Sequence, residues 1–199
     1  AEIVFDQGLG DLFVIRVAGN IVAPSQIGSV EFAASRFGTP LVVVLGHSQC
    51  GAVLATIEEL QRPAETQSRH LRSIVDRVRP SVEGLLRTEL RHDMEALVRH
   101  AVRANVSLAA SHLRYGSEVL EQLIQDDRLR VVGAEYSLET GVVEFFDGVN
   151  LDCRRARLWR DGAQREHRAP TRGAGRRGRR RRTFSPDPHR LFRPHPEAP

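Results

Sequence analysis

Leu41-Val42-Val43-Val44-Leu45-Gly46-His47-Ser48-Gln49-Cys50-Gly51-Ala52 is the stretch that decides how this chain is read. Its first five residues are apolar without interruption and mostly β-branched, the pattern of a parallel strand buried on both faces. Upstream, Leu12-Phe13-Val14-Ile15-Arg16-Val17 has the same character. Between the two, Ile27, Val30, Ala34 and Phe37 recur at helical spacing, with Ser25 placed as N-cap and Gly38 as the stop. A strand, a helix and a strand joined by a right-handed crossover make two parallel strands.

Working outward, helices dominate the middle of the chain. Leu71, Ile74, Val75 and Val78 form one apolar stripe, expected to end near Pro80. Leu90, Met94, Leu97, Val98, Ala101 and Val102 form a longer one that continues towards Leu113. Gly116-Ser117 opens a short helix carrying Leu120, Leu123 and Ile124. Residues 130–134 and 142–146 read as two further strands, the second after a turn at Glu139-Thr140-Gly141. The alternation predicts an α/β fold, a mostly parallel sheet flanked by helices.

The charge total conceals a boundary. The 199 residues carry a formal net charge of +4. Residues 1–152 hold 14 Arg against 21 acids, a net −7, whereas residues 153–199 hold 15 Arg against 4 acids, a net +11. The basic character therefore belongs to the C-terminal stretch, and Lys is absent throughout. That stretch has 11 apolar residues in 47, too few to bury a core, and reads as a disordered Arg/Pro/Gly-rich tail over 151–199 following a domain over 1–150. Its composition is what GC-rich DNA encodes in many frames, so a shifted frame from near Asn150 is expected. The competing reading is a basic tail that binds nucleic acid or another polyanion through its guanidinium groups, although regular aromatic interleaving for base stacking is missing. Two Cys residues exclude a disulfide framework and fit a reducing compartment, and the longest apolar run is too short to span a membrane. A cytoplasmic location is expected.

The chemistry concentrates in residues 46–51. His47 and Cys50 are three apart at a strand-to-helix turn, and ligands in open α/β sheets gather beyond the carboxyl ends of strands. Imidazole nitrogen and thiolate sulfur are typical zinc donors. Gly46 and Gly51 are expected to let the backbone turn tightly and approach an ion. The same pair also suits a hydrogen-bonded His beside a buried structural Cys, and a catalytic zinc needs three protein donors.

Taken with its neighbours, the segment resembles the second zinc motif of the β-class carbonic anhydrases. Residues 10–20, Gly-Asp-Leu-Phe-Val-Ile-Arg-Val-Ala-Gly-Asn, resemble that family's second strand, and Ser29-Val30-Glu31-Phe32-Ala33 its following helix. Residues 133–141, Gly-Ala-Glu-Tyr-Ser-Leu-Glu-Thr-Gly, resemble its closing strand and turn. The resemblance spans about residues 1–149. It implies reversible hydration of carbon dioxide to bicarbonate on Zn2+, with His47 and Cys50 as two metal ligands. Phe13, Ala18, Phe32 and the backbone of Gly51 would line the substrate pocket. A homodimer or tetramer follows from it; on composition, no membrane association is expected, and no nucleic-acid binding except through the tail. Zinc lowers the pKa of bound water from 15.7 to about 7, worth about 12 kcal/mol, which no neighbouring His or Arg supplies.

One motif of that family, Cys-x-Asp-x-Arg at the end of its first strand, has no counterpart in residues 1–199. Residues 1–6 resemble the stretch that follows it, so the chain is expected to start just after that motif, without a second zinc Cys and without the Asp–Arg pair. Cys153 lies beyond the resemblance. Asp6 and Asp11 read as turn and strand-start residues, His92 and His100 as solvated positions on the polar side of the long helix, and His70 and His112 lack a visible partner. The expectation is therefore a β-carbonic-anhydrase-like domain lacking its first central strand, with impaired zinc binding and activity. A gap or an abnormal direct pairing between residues 12–17 and 41–45 should accompany it. The alternative is a non-catalytic domain of the same fold bearing a polyanion-binding tail.

Overall fold

The computed structural model describes residues 1–62 and 68–149. The expectations about the tail and Cys153 lie outside them. Among the described residues, five helices and three strands follow in the order α1 Pro24–Phe37, β1 Leu41–His47, α2 Gly51–Gln61, α3 Arg69–Leu86, α4 Met94–Tyr115, α5 Glu118–Gln125, β2 Arg130–Tyr136 and β3 Val143–Asp147. Short 3-10 turns cover Ala18–Asn20 and Glu89–His92.

The α/β class is as the pattern implied, and the sheet is small and mixed. β1 and β2 are parallel, with Leu41 opposite Arg130 and His47 opposite Tyr136. β3 runs antiparallel to β2, across an irregularity between Gly133 and Ala134. Among the described residues the order is β1-β2-β3, with β1 at one edge. Residues 12–17 form no strand, which corrects the first of the strand expectations. Their composition favours extended backbone, but a strand exists only where a partner completes its ladder, and no described residue does so. Neither do they pair directly with β1.

Local chemistry explains the helix ends. α1 starts with Pro24 at its first position, where the missing N–H is no loss, and the Gln26 side chain accepts from the Ala23 N–H at 3.3 Å. Its N-cap is therefore Ala23 rather than Ser25. Gly38 ends it in the left-handed region at φ 65°. Asp93 and Ser117 cap α4 and α5 by accepting from the N–H groups of Ala96 and Leu120. Ser117 also donates to Glu31 at 2.6 Å, tying α5 to α1.

α3 does not end at Pro80; it runs six residues further, to Leu86. A proline inside a helix removes a hydrogen bond and costs about 3 kcal/mol. Here Val75 and Val78 before it and Val82 after it are all buried on one stripe, so packing on both sides holds the helix together.

α4 contributes to both hydrophobic clusters of the described residues. Its Leu97, Val98, Ala101 and Val102 pack with Val53 and Ile57 of α2 and Val78 and Val82 of α3. Its Val106, Ala109, Ala110 and Leu113 pack with Val44, Val131, Val30 and Ala34. One helix thus joins the helical layer to the sheet that carries the His47–Cys50 turn.

Candidate functional site

The candidate site is the turn between β1 and α2. His47 is the last residue of β1 and Cys50 the N-cap of α2, at the positive end of that helix's dipole. Gln49 takes up the turn with φ 56°. The turn is clamped to the end of β2. The Ser48 N–H donates to the Tyr136 carbonyl at 3.0 Å, and the Ser48 hydroxyl oxygen accepts from the Leu138 N–H at 2.9 Å. Gln49 donates to the Glu139 carboxylate at 2.8 Å. Sequence reasoning misses this clamp, because its partners are about 90 residues away.

His47 Nδ1 lies 2.9 Å from the Ser48 carbonyl oxygen. A carbonyl only accepts, so that contact fixes the proton on Nδ1 and leaves Nε2 with its lone pair, the form in which imidazole binds a metal. Cys50 is a free thiol and is buried. The two side chains therefore have the chemistry of zinc donors. They do not make a complete site: among the described residues no group of three or more His, Cys, Asp and Glu could hold a metal ion. The donor set falls short of the three that a catalytic zinc requires.

Gly46 serves the packing of α4. A Cβ on Gly46 would stand 2.5 Å from Val106 Cγ2, and one on Gly133 would stand 2.9 Å from Val106 Cγ1. These two glycines are a floor on adjacent strands that lets α4 settle onto the sheet. Gly51 meets nothing within 4 Å, so its freedom is not used.

The pocket residues are only partly assembled. Phe13 and Phe32 are in contact, their ring centroids 6.5 Å apart, and both meet Phe37. The cluster is at the surface, with Phe32 52 % exposed. Ala18 and Gly51 are also exposed. Cavities of about 380 and 490 Å³ are lined by other residues, the first by Ile27, His112 and Tyr115, the second by Arg99, His100, Arg103 and Phe146.

The remaining titratable residues fall as follows. His70, His100 and His112 are at least partly exposed. His92 is in the 3-10 turn before α4, not on α4, and accepts from Arg91 at 2.9 Å. Asp6 is in a turn with φ 51°, and Asp11 accepts from the Gly8 N–H in a loop rather than starting a strand. A cluster with no signal in the sequence sits where β2 meets β3. Glu135 and Glu144 face each other across the strands, and Arg103 holds Glu144 with two hydrogen bonds, at 3.0 and 3.2 Å, and lies 3.7 Å from Glu135. Burial raises the Glu135 carboxyl above the ordinary carboxylate range, and Arg103's hydrogen bonds lower that of Glu144.

The architecture has counterparts among solved structures. The structure of the β-carbonic anhydrase CcaA superposes with a TM-score of 0.63 and 25 % identity, covering 74 % of this chain and 73 % of that one. A family model described as carbonic anhydrase matches residues 1–143. The chain belongs to the β-carbonic anhydrase family. The carbonic anhydrase of Mycolicibacterium smegmatis is 39 % identical over 149 residues, covering 72 % of this chain and 67 % of that protein. Carbonic anhydrase 2 of Mycobacterium tuberculosis is 38 % identical over 146 residues, covering 71 % of this chain and 65 % of that protein. The chain spans about two thirds of the length of these curated relatives. No helix of the described β-carbonic anhydrase fold is long and apolar enough to cross a membrane.

Proposed function

We propose that this chain carries part of a zinc site for the reversible hydration of carbon dioxide, and that hydration is impaired in the chain as written. His47 and Cys50 are the proposed zinc donors, and Phe13, Ala18, Phe32 and the Gly51 backbone the proposed surroundings of the substrate. When bound at a complete site, zinc supplies a hydroxide near neutral pH. What this chain's residues do is narrower. The Ser48 carbonyl orients the His47 ring, and the Tyr136–Glu139 segment holds the turn. The apolar face near Phe13 and Phe32 suits a small non-polar molecule. Assembly as a homodimer or tetramer and a cytoplasmic location belong to the same proposal.

The observation that carries the reading is the His47–Ser48 contact beside a buried Cys50, with no third donor grouped with them among the described residues. A fixed tautomer favours metal binding, and a two-donor set limits its strength. Stopped-flow measurement of carbon dioxide hydration on the purified full chain with zinc added tests it. Turnover at most a few-fold above the buffer rate is expected. Turnover within tenfold of the Mycolicibacterium smegmatis enzyme, measured alongside, would refute the impairment.

A further inference from the structure

Gln49 stands in a backbone region that its side chain does not favour. Its φ of 56° is left-handed. The other non-glycine residues in that region, among those described, are Asp6, Asn20 and Asp127, whose short polar side chains suit it by bonding to nearby backbone. The longer Gln49 amide instead reaches a partner 90 residues away, the Glu139 carboxylate, at 2.8 Å.

That bond acts on one particular peptide. The Ser48–Gln49 unit is planar, so turning its carbonyl over changes ψ of Ser48 and φ of Gln49 together. Its carbonyl is the group 2.9 Å from His47 Nδ1. A flip that returned Gln49 to negative φ would turn this carbonyl away from the ring. The two Ser48 bonds do not oppose such a flip. The Ser48 N–H, which donates to the Tyr136 carbonyl, belongs to the preceding peptide, and the bond from the Leu138 N–H ends on the Ser48 hydroxyl. The Gln49–Glu139 bond fixes the residue just beyond the carbonyl. Glu139 is suited to be its fixed end, because it lies in the turn between β2 and β3. That turn is closed by bonds from the Gly141 N–H to the Ser137 carbonyl at 2.9 Å and from the Thr140 N–H to the Ser137 hydroxyl at 3.1 Å. A carboxylate acceptor also makes a stronger hydrogen bond than a neutral one.

We propose that Glu139 is a positioning residue: through the Gln49 side chain it holds the Ser48 carbonyl against His47 Nδ1, which keeps the proton on Nδ1 and the Nε2 lone pair free. An exposed hydrogen bond of this kind contributes little to folding. Its consequence here is the direction of one carbonyl, and hence the tautomer of one ring. The usefulness of that tautomer rests on the reading of His47 as a metal donor; the tautomer itself does not.

Long-range proton–nitrogen correlation NMR on the full chain with isotope-labelled histidine reads the proton position, in chelator at about pH 8.5, above the ordinary imidazole range. His47→Gln identifies the His47 signals by their loss. In the wild type Nδ1 should carry the proton and Nε2 should not. In Glu139→Ala the ratio of the Nδ1–H to the Nε2–H form should fall about three- to tenfold, as expected for one lost hydrogen bond. Glu139→Gln keeps an acceptor oxygen and should restore the ratio to within about twofold. Circular dichroism of both variants confirms folding, and a merely structural role would lower stability without moving the His47 nitrogens. Unchanged His47 signals in Glu139→Ala, an Nε2–H form in the wild type, or an equal change in both variants would overturn the proposal. Because chelator is present throughout, a failure to bind zinc in a separate titration counts against the zinc reading alone.

Discussion

Gly46→Ala tests whether α4 really rests on the backbone beside the candidate site. The added Cβ would stand 2.5 Å from Val106 Cγ2 and 3.4 Å from Val102 Cγ1. The first distance is well inside van der Waals contact. Val106 is fully buried, in mid-helix, where a β-branched side chain has essentially one rotamer, so it cannot swing aside. Overpacking of this kind costs about 1–3 kcal/mol. Val106→Ala alone loses about two buried methyl groups plus a cavity, about 2–3 kcal/mol. In the double variant the two defects occupy the same space, and the new methyl fills part of the void.

Urea unfolding followed by circular dichroism measures all four proteins at one pH and temperature. The double variant should be destabilised by at least about 1 kcal/mol less than the sum of the single ones. Additivity to within about 0.5 kcal/mol would show that Val106 does not lie over Gly46, and would refute this packing of α4 on the sheet. Gly51→Ala is the internal contrast. Nothing lies within 4 Å of its Cβ, and it opens α2, so the change should be neutral or stabilising by up to about 1 kcal/mol.

Two further outcomes follow from the hydrogen bonds. Ser48→Ala removes the acceptor of the Leu138 N–H; the turn should lose about 0.5–1.5 kcal/mol of stability in the same urea assay, and zinc affinity should fall with it. Arg103→Ala leaves Glu135 and Glu144 opposed across two strands without their shared cation. Glu144, whose carboxyl is lowered in the folded chain, contributes stability above the ordinary carboxylate range and loses it as pH falls through its folded value. Glu135, whose carboxyl is raised, opposes folding above its folded value and stops doing so on acidification. Without Arg103 the first contribution disappears and the second grows. The stability gap between wild type and variant should therefore be widest near pH 7 and narrow towards about pH 4; a gap independent of pH would contradict this assignment.

How much is legible in the sequence depends on how local each feature is. β1, α4, α5, β2 and β3 are readable because their periodicity and caps are written in neighbouring residues, as with Ser117 before α5. Residues 12–17 mislead because strand propensity is local whereas pairing is not; the segment has no strand partner among the described residues. Pro80 misleads for the converse reason: a local breaker is overridden by Val75, Val78 and Val82, all buried on either side of it. At the site, the placing of His47 and Cys50 on one strand-to-helix turn is readable from the sequence. The Tyr136–Glu139 clamp, the Gly46–Val106 contact and the Asn20–Asn105 pair are not, since each joins residues about 60 to 90 apart. Gly46 shows the limit well: the glycine is conspicuous in the sequence, but its contact with a valine on α4 is not.

The proposed zinc site rests on two donors among the described residues, His47 and Cys50. Competitive titration of zinc against a chromophoric chelator, on the full chain and on His47→Ala and Cys50→Ser, tests it most directly. Weak binding is expected in the wild type, at least about a hundredfold below a three-donor site, with its loss in either variant. Tight, stoichiometric zinc that survives both substitutions would contradict it.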